Sequence, residues 1–156
     1  MKLNFKQYIT NLLVEKQHTL QELLDNFRKI FPYSDKDLSV ISYKCEGKDE
    51  LDMICTGIIQ SEFEEFKKYK VTVKFHRDTT DIPFTIKNIG EVFCECNAFR
   101  YNIAYPDVQS KNFFGQPQNY NRIPNRERNP AKISSVCKHL YSFLIYLYNK
   151  GLIKNN

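Results

Sequence analysis

Apolar residues recur along this chain at two different periods, and the change of period divides it. Phe5, Tyr8, Ile9, Leu12 and Leu13 fall at helical spacing and predict a first helix. A second follows at once. Thr19 with Glu22 three residues on makes a capping box, Leu20, Leu23, Leu24, Phe27, Ile30 and Phe31 supply one apolar stripe, and Pro32 stops it. Together they predict a helical hairpin over residues 1–33. Arg28 and Lys29 near its end leave open a helix-turn-helix for DNA, beside the plainer reading of two amphipathic helices packed on the rest of the fold.

Beyond Pro32 the period shortens. LSVISY, LDMICTGIIQS, KVTVKFH and EVFCECNAF read as strands, with Val71, Val73 and Phe75 alternating as in a half-buried strand, and with turns at Gly47 and Gly90. Residues 97–136 then show no period. The chain closes on VCKHLYSFLIYLYNK, a helix with the core stripe Leu140, Phe143, Leu144 and Leu147 and Gly151 as its C-terminal stop. Tyr141, Ile145 and Tyr148 form a second apolar stripe, so this helix should be covered on two sides, by the hairpin or by another subunit. The fold class is α+β: an N-terminal helical hairpin, then over 34–156 a small antiparallel β-sheet, a long loop and a C-terminal helix.

Composition narrows the picture only a little. A chain of 156 residues with 42% hydrophobic residues can bury a core without disulfides. Apolar residues never run for 18 positions, and MKLNFKQYITNLLVEKQ is interrupted by polar residues every few positions. These features predict neither a membrane span nor a secretory signal, and an intracellular product. The net charge of +5 permits an anionic partner without requiring one.

The candidate chemistry lies in the cysteines. There are five, an odd number, and in a reducing compartment they suit a metal better than a disulfide framework. Cys45 and Cys55 have no partner at ligand spacing and read as buried free thiols. Cys94 with Cys96, and Cys137 with His139, form two pairs of zinc-type ligands, each two residues apart. Strand residues i and i+2 share a face, so Cys94 and Cys96 can aim at one point. Helical residues two apart diverge by about 200 degrees, so the last helix must begin close to Cys137, with Ser134 or Ser135 as its N-cap. The helix N-terminus would favour thiolate at Cys137, and Lys138 would offset part of the charge of three thiolates. Four protein ligands close the coordination sphere of one Zn2+, which makes the metal structural and leaves no water to activate.

No nucleophile set, phosphate-binding loop or paired catalytic carboxylates accompany the quartet. Glu62, Glu64 and Glu65 read as a charged face, and His76 as a solvated or hydrogen-bonded side chain. The expectation is a protein that is not an enzyme and has no small-molecule substrate.

The order C-x-C, spacer, C-x-H, then an apolar helix, resembles the SWIM-type zinc finger. Cys94, Cys96, Cys137 and His139 match its four ligand positions, and CKHLYSFL is similar to its helix. Asn97 stands where the family often has Pro, and the spacer is longer than usual. Gly57, Ser61, Tyr69, Val71 and Val73, then CECNAFRYNIAYP, RNP at 128–130 and VCKHL, resemble long-spacer proteins of this type encoded among virion genes of tailed bacteriophages. That resemblance implies a virion assembly component of the head-tail connector, neck or tail. It places the protein in the host cytoplasm and the particle, in contact with other protein subunits. SWIM modules are also proposed to bind DNA, which implies the alternative of a nucleic-acid-binding regulator.

The spacer carries the partner expectation. It holds four of the six prolines together with Tyr101, Tyr105, Phe113, Phe114 and Tyr120, more aromatics than a plain linker needs. Its basic residues Arg100, Lys111, Arg122, Arg126, Arg128 and Lys132 outnumber Asp107 and Glu127. One reading is an extended arm that contacts partners through Arg100, Tyr105, Phe113, Phe114, Tyr120, Arg122, Arg126 and Arg128, including phosphate. The other is that the aromatics pin the loop to its own domain.

Overall fold

The computed structural model describes residues 17–34, 37–61, 64–116, 129 and 131–154. The first helix expected from Phe5 to Leu13 lies outside them, so of the predicted hairpin only the second helix is described.

That helix, α1, runs Leu20–Ile30. Its capping box forms as the sequence dictates: Glu22 N donates to Thr19 Oγ1 at 3.2 Å, and Thr19 N donates to Glu22 Oε1 at 3.2 Å. Leu20, Leu23, Leu24 and Phe27 are buried. The helix entry is tied to the sheet, because Leu20 N donates to Asn88 O at 2.9 Å. A Cβ on Gly90 would stand 2.5 Å from Leu20 Cδ2, so glycine is what lets the helix come this close.

Four antiparallel strands follow in the order β1-β2-β3-β4: Val40–Gly47, Asp52–Gln60, Lys68–His76 and Gly90–Cys94. Period-two alternation decides their faces. Cys55, Gly57 and Ile59 of β2, Val71, Val73 and Phe75 of β3, and Gly90, Val92 and Cys94 of β4 are buried on one face, and the register aligns them row by row. On the other face Lys74 Nζ lies between Asp52 Oδ2 at 3.8 Å and Glu91 Oε2 at 3.4 Å. His76 Nδ1 meets Asp52 Oδ1 at 2.6 Å, as a hydrogen-bonded strand-end histidine.

Cys45 and Cys55 are not free thiols. They form a disulfide between β1 and β2, with Cα atoms 4.1 Å apart. The expectation of unpaired cysteines fails because ten residues of sequence separation hide a directly opposed register pair, and the Gly47–Asp52 turn sets that register.

Past β4 the described part of the spacer, residues 97–116, is folded onto the domain and is not an extended arm. Residues Phe99–Ile103 form one π-helical turn that runs into a short helix, α2, at Ala104–Gln109. Phe99, Ile103 and Ala104 join the core. The chain then comes back along β4, with Val92 N donating to Asn112 O at 2.7 Å and Phe114 N to Val92 O at 3.0 Å. The polar residues that suggest a loop are instead buried: Asn112 Nδ2 donates to Gly90 O at 2.6 Å and to His18 O at 2.8 Å.

The C-terminal helix, α3, spans Lys138–Asn149 and lies on the buried sheet face. It ends as expected at Gly151 (φ 75°), where Gly151 N bonds Tyr148 O at 3.0 Å and Leu152 N bonds Leu147 O at 3.1 Å, the paired bonds of a Schellman motif. Leu140, Phe143, Leu144 and Leu147 fill the core. Of the second stripe, Tyr141 is covered by α1: its ring lies 4.9 Å from that of Phe27, and Arg28 Nε donates to its hydroxyl at 2.9 Å. Ile145 is half-buried and Tyr148 exposed. None of the described helices is long and apolar enough to cross a membrane.

Candidate metal centre

Cys94, Cys96, Cys137 and His139 come together. Their four ligand atoms all lie within 4.8 Å of one another, and all four residues are buried. Cys94 is the last residue of β4, directly opposite Val71. Cys96 lies just beyond the strand, where Glu95 N still bonds Lys70 O at 3.3 Å. Phe99 N donates to Cys96 Sγ at 3.3 Å and Arg100 N to Cys96 O at 3.1 Å, so the sulfur is fixed by the turn that starts the spacer.

On the opposite side Cys137 is itself the N-cap of α3, with extended backbone (φ −92°, ψ 176°) and its carbonyl accepting from Tyr141 N at 2.9 Å. The helix therefore begins where convergence of Cys137 and His139 requires it. Ser134 and Ser135, the expected caps, serve elsewhere. Ser135 N donates to Asp107 Oδ1 at 2.9 Å, and Ser134 Oγ donates to Pro106 O at 3.0 Å. These bonds strap the returning leg of the spacer to its outgoing leg two residues before Cys137. Asn129 adds to the strap, its Nδ2 donating to Asn102 O at 2.8 Å.

The separations suit one ion. His139 Nδ1 stands 3.8 Å from Cys94 Sγ and 3.9 Å from Cys137 Sγ. A tetrahedron with metal–sulfur bonds of about 2.3 Å and a metal–nitrogen bond of about 2.0 Å has edges of roughly 3.5–3.8 Å. The histidine ring is held against Tyr69, centroids 4.5 Å apart, with Nδ1 toward the sulfurs. Its buried Nε2 has no hydrogen-bond partner among the described residues.

Electrostatics argue for a cation. Burial pushes the Cys94 and Cys137 thiols well above the ordinary value, while hydrogen bonds from Cys137 and then Cys94 pull Cys96 down. A bound divalent ion deprotonates coordinating thiols outright and compensates the buried negative charge. The group can hold one metal ion, and three sulfurs with one imidazole suit zinc.

Of the residues expected to meet partners, Arg100, Tyr105, Phe113 and Phe114 are among the described ones. Arg100 is exposed, its guanidinium 5.9 Å over the Tyr101 ring, and Tyr105 and Phe114 are half-buried. Phe113 is buried, with its ring 5.7 Å from Phe93 and 6.2 Å from Phe99, so it packs on its own domain. Tyr120, Arg122, Arg126 and Arg128 lie outside the described residues. Sequence reasoning missed Tyr69 and Asp107. Asp107 is fully buried, and burial drives its carboxyl well above the usual carboxylate range although the Ser135 amide pulls the other way. Its only signal was that it is one of just two acids, with Glu127, in a basic, Asn-rich stretch.

Comparison with known proteins returns no match to a family model, to a curated protein or to a solved structure.

Proposed function

We propose that this chain is a non-enzymatic, zinc-stapled α+β protein of SWIM-like design that works by contacting other protein subunits in an assembly. The observation that carries this is the closed, buried donor set: four protein ligands within 4.8 Å leave no coordination position for a substrate. The zinc joins the end of β4 to the start of α3 and closes the base of the spacer. The C-x-C…C-x-H order and the longer pattern from Gly57 to His139 support a virion component of a tailed phage, at the head-tail connector, neck or tail. Metal analysis of purified protein should find one zinc per chain, and a cobalt-substituted form should give the spectrum of a tetrahedral site with three sulfurs and one nitrogen. A spectrum of five-coordinate cobalt would defeat the structural reading. Mass spectrometry of purified particles tests the virion part, which fails if the chain is missing from them.

A nucleic-acid-binding regulator is the second reading, motivated by the net charge of +5 and the basic spacer. It predicts DNA affinity that falls steeply with salt, and a gel shift showing none at low salt eliminates it. The outer sheet face speaks for protein contact instead, because Lys74 is flanked by Asp52 and Glu91 and Lys44 is paired with Glu46.

A further inference from the structure

The two edges of the sheet are treated differently. The β4 edge is closed by the protein's own chain through the Asn112–Phe114 bonds to Val92, whereas no described residue pairs with the outer edge of β1. The hydrogen-bond phase of β1 is fixed. Lys48 N donates to Asp52 O, in step with the pairs Glu46↔Ile54 and Lys44↔Thr56, so the even-numbered residues bond β2. The 4.1 Å Cα separation of Cys45 and Cys55 is that of a non-hydrogen-bonded pair and gives the same phase. The backbone N–H and C=O of Tyr43, Cys45 and Gly47 therefore point outward from the sheet edge.

We propose that β1 pairs antiparallel with β1 of a second copy of this chain, about a two-fold axis at Cys45 that sets Lys44 opposite Glu46 of the other copy. Centred there, Cys45 faces its own equivalent and Tyr43 faces Gly47, and all the outward N–H and C=O groups of these three residues find partners across the axis. Lys44 and Glu46 then occupy the non-hydrogen-bonded positions, where opposed side chains approach most closely. Both point to the same face, both are well exposed, and Lys44 Nζ already sits 2.6 Å from Glu46 Oε1 within one strand. Across the axis the two pairs make an alternating ring of four charges.

A lysine on an edge strand ordinarily discourages pairing. Here the acid two residues away turns it into an attraction in this register, and into a repulsion in any register that sets Lys44 against itself. Tyr43 packs edge-on against Tyr146 of α3, with ring centroids 5.4 Å apart, and Gly47 as its cross-axis neighbour leaves that ring room. The irregularity between Val40 and Ser42 ends the pairing on one side, so the matched segment is 42–48. The product is a continuous eight-stranded sheet with both helical layers on one side.

Sedimentation equilibrium tests this on the full chain with zinc bound. The wild type is expected to form a dimer, and Lys44→Glu alone or Glu46→Lys alone to weaken it about tenfold, since each places like charges opposite one another twice. Mixing the two variants should restore wild-type affinity as a heterodimer, because every cross-axis pair is then complementary. A wild type that stays monomeric overturns the proposal, as does a dimer indifferent to both substitutions or a mixture that recovers nothing. Both side chains are exposed, so circular dichroism and zinc content should match the wild type. Loss of zinc would count against the metal reading separately.

Discussion

Gly57 of β2 lies directly beneath Phe143 of α3: a Cβ placed on the glycine would stand 2.5 Å from Phe143 Cε1. Phe143 is one helical turn beyond His139, on the same face of the helix. The contact thus sets the height of α3 over the sheet, and with it the position of the imidazole over Cys94. Gly57→Ala should cost about 1–3 kcal/mol by overpacking and should also weaken zinc binding. Denaturant titration and competition with a chelator measure the two effects. Adding Phe143→Leu should recover part of both, and a zinc affinity untouched by Gly57→Ala would show that the helix is held at its N-terminus alone.

Removing the metal should release the C-terminal half. Structural zinc contributes about 10–16 kcal/mol in small zinc-dependent units, a scale comparable with the whole stability of a domain. Chelation is expected to abolish hydrogen-exchange protection in α3 and in the Phe99–Gln109 segment. Protection in the β1–β2–β3 ladder, which is cross-linked through Cys45 and Cys55, should decline less. Cys96→Ser should reproduce the chelated state, and normal zinc content in that variant would remove Cys96 from the site.

The Cys45–Cys55 bridge closes a loop of ten residues, for which chain entropy gives about 3 kcal/mol at most. Cys45→Ser, at a half-buried position, should lower unfolding free energy by up to that amount while leaving one zinc per chain. Peptide mapping of the alkylated, unreduced protein provides the direct check: the two cysteines should escape labelling. Labelling of both would mean that they stand reduced side by side.

Asp107 yields a pH prediction. Its folded carboxyl titrates well above the unfolded value because burial penalises the charge. A raised value stabilises the fold below the unfolded pKa, and that contribution is lost as pH rises toward the folded value. Asp107→Asn keeps an acceptor for the Ser135 amide and cannot ionise. As pH rises above the ordinary carboxylate range, with zinc saturating, the variant should therefore gain on the wild type, by at most about 1.4 kcal/mol per pH unit. A stability difference independent of pH over that range would mean that the carboxyl is already ionised in the fold.

Local chemistry carried much of this structure into the sequence. The α1 capping box, the alternation of Val71, Val73 and Phe75, the stop at Gly151 and the two ligand pairs each depend on residues a few positions apart, so periodicity and spacing reveal them. The quartet was legible for the same reason. Helical geometry alone required α3 to start near Cys137, although the N-cap is Cys137 itself and not a serine before it.

What only the tertiary structure decided depends on register and on burial across the chain. Cys45 meets Cys55 because a turn sets one register out of several, and a one-residue slip would point them to opposite faces. Asn112, Asn129, Asp107, Ser134 and Ser135 give the spacer the composition of a loop, yet they satisfy buried backbone groups 22 to 94 residues away or hold the two legs of the spacer together. A polar side chain carries no mark of whether its partner will be water or a distant backbone group. For that reason the sequence determined the ligands and the elements that bear them, while the fold decided that residues 97–116 pack against β4 and help to position Cys137.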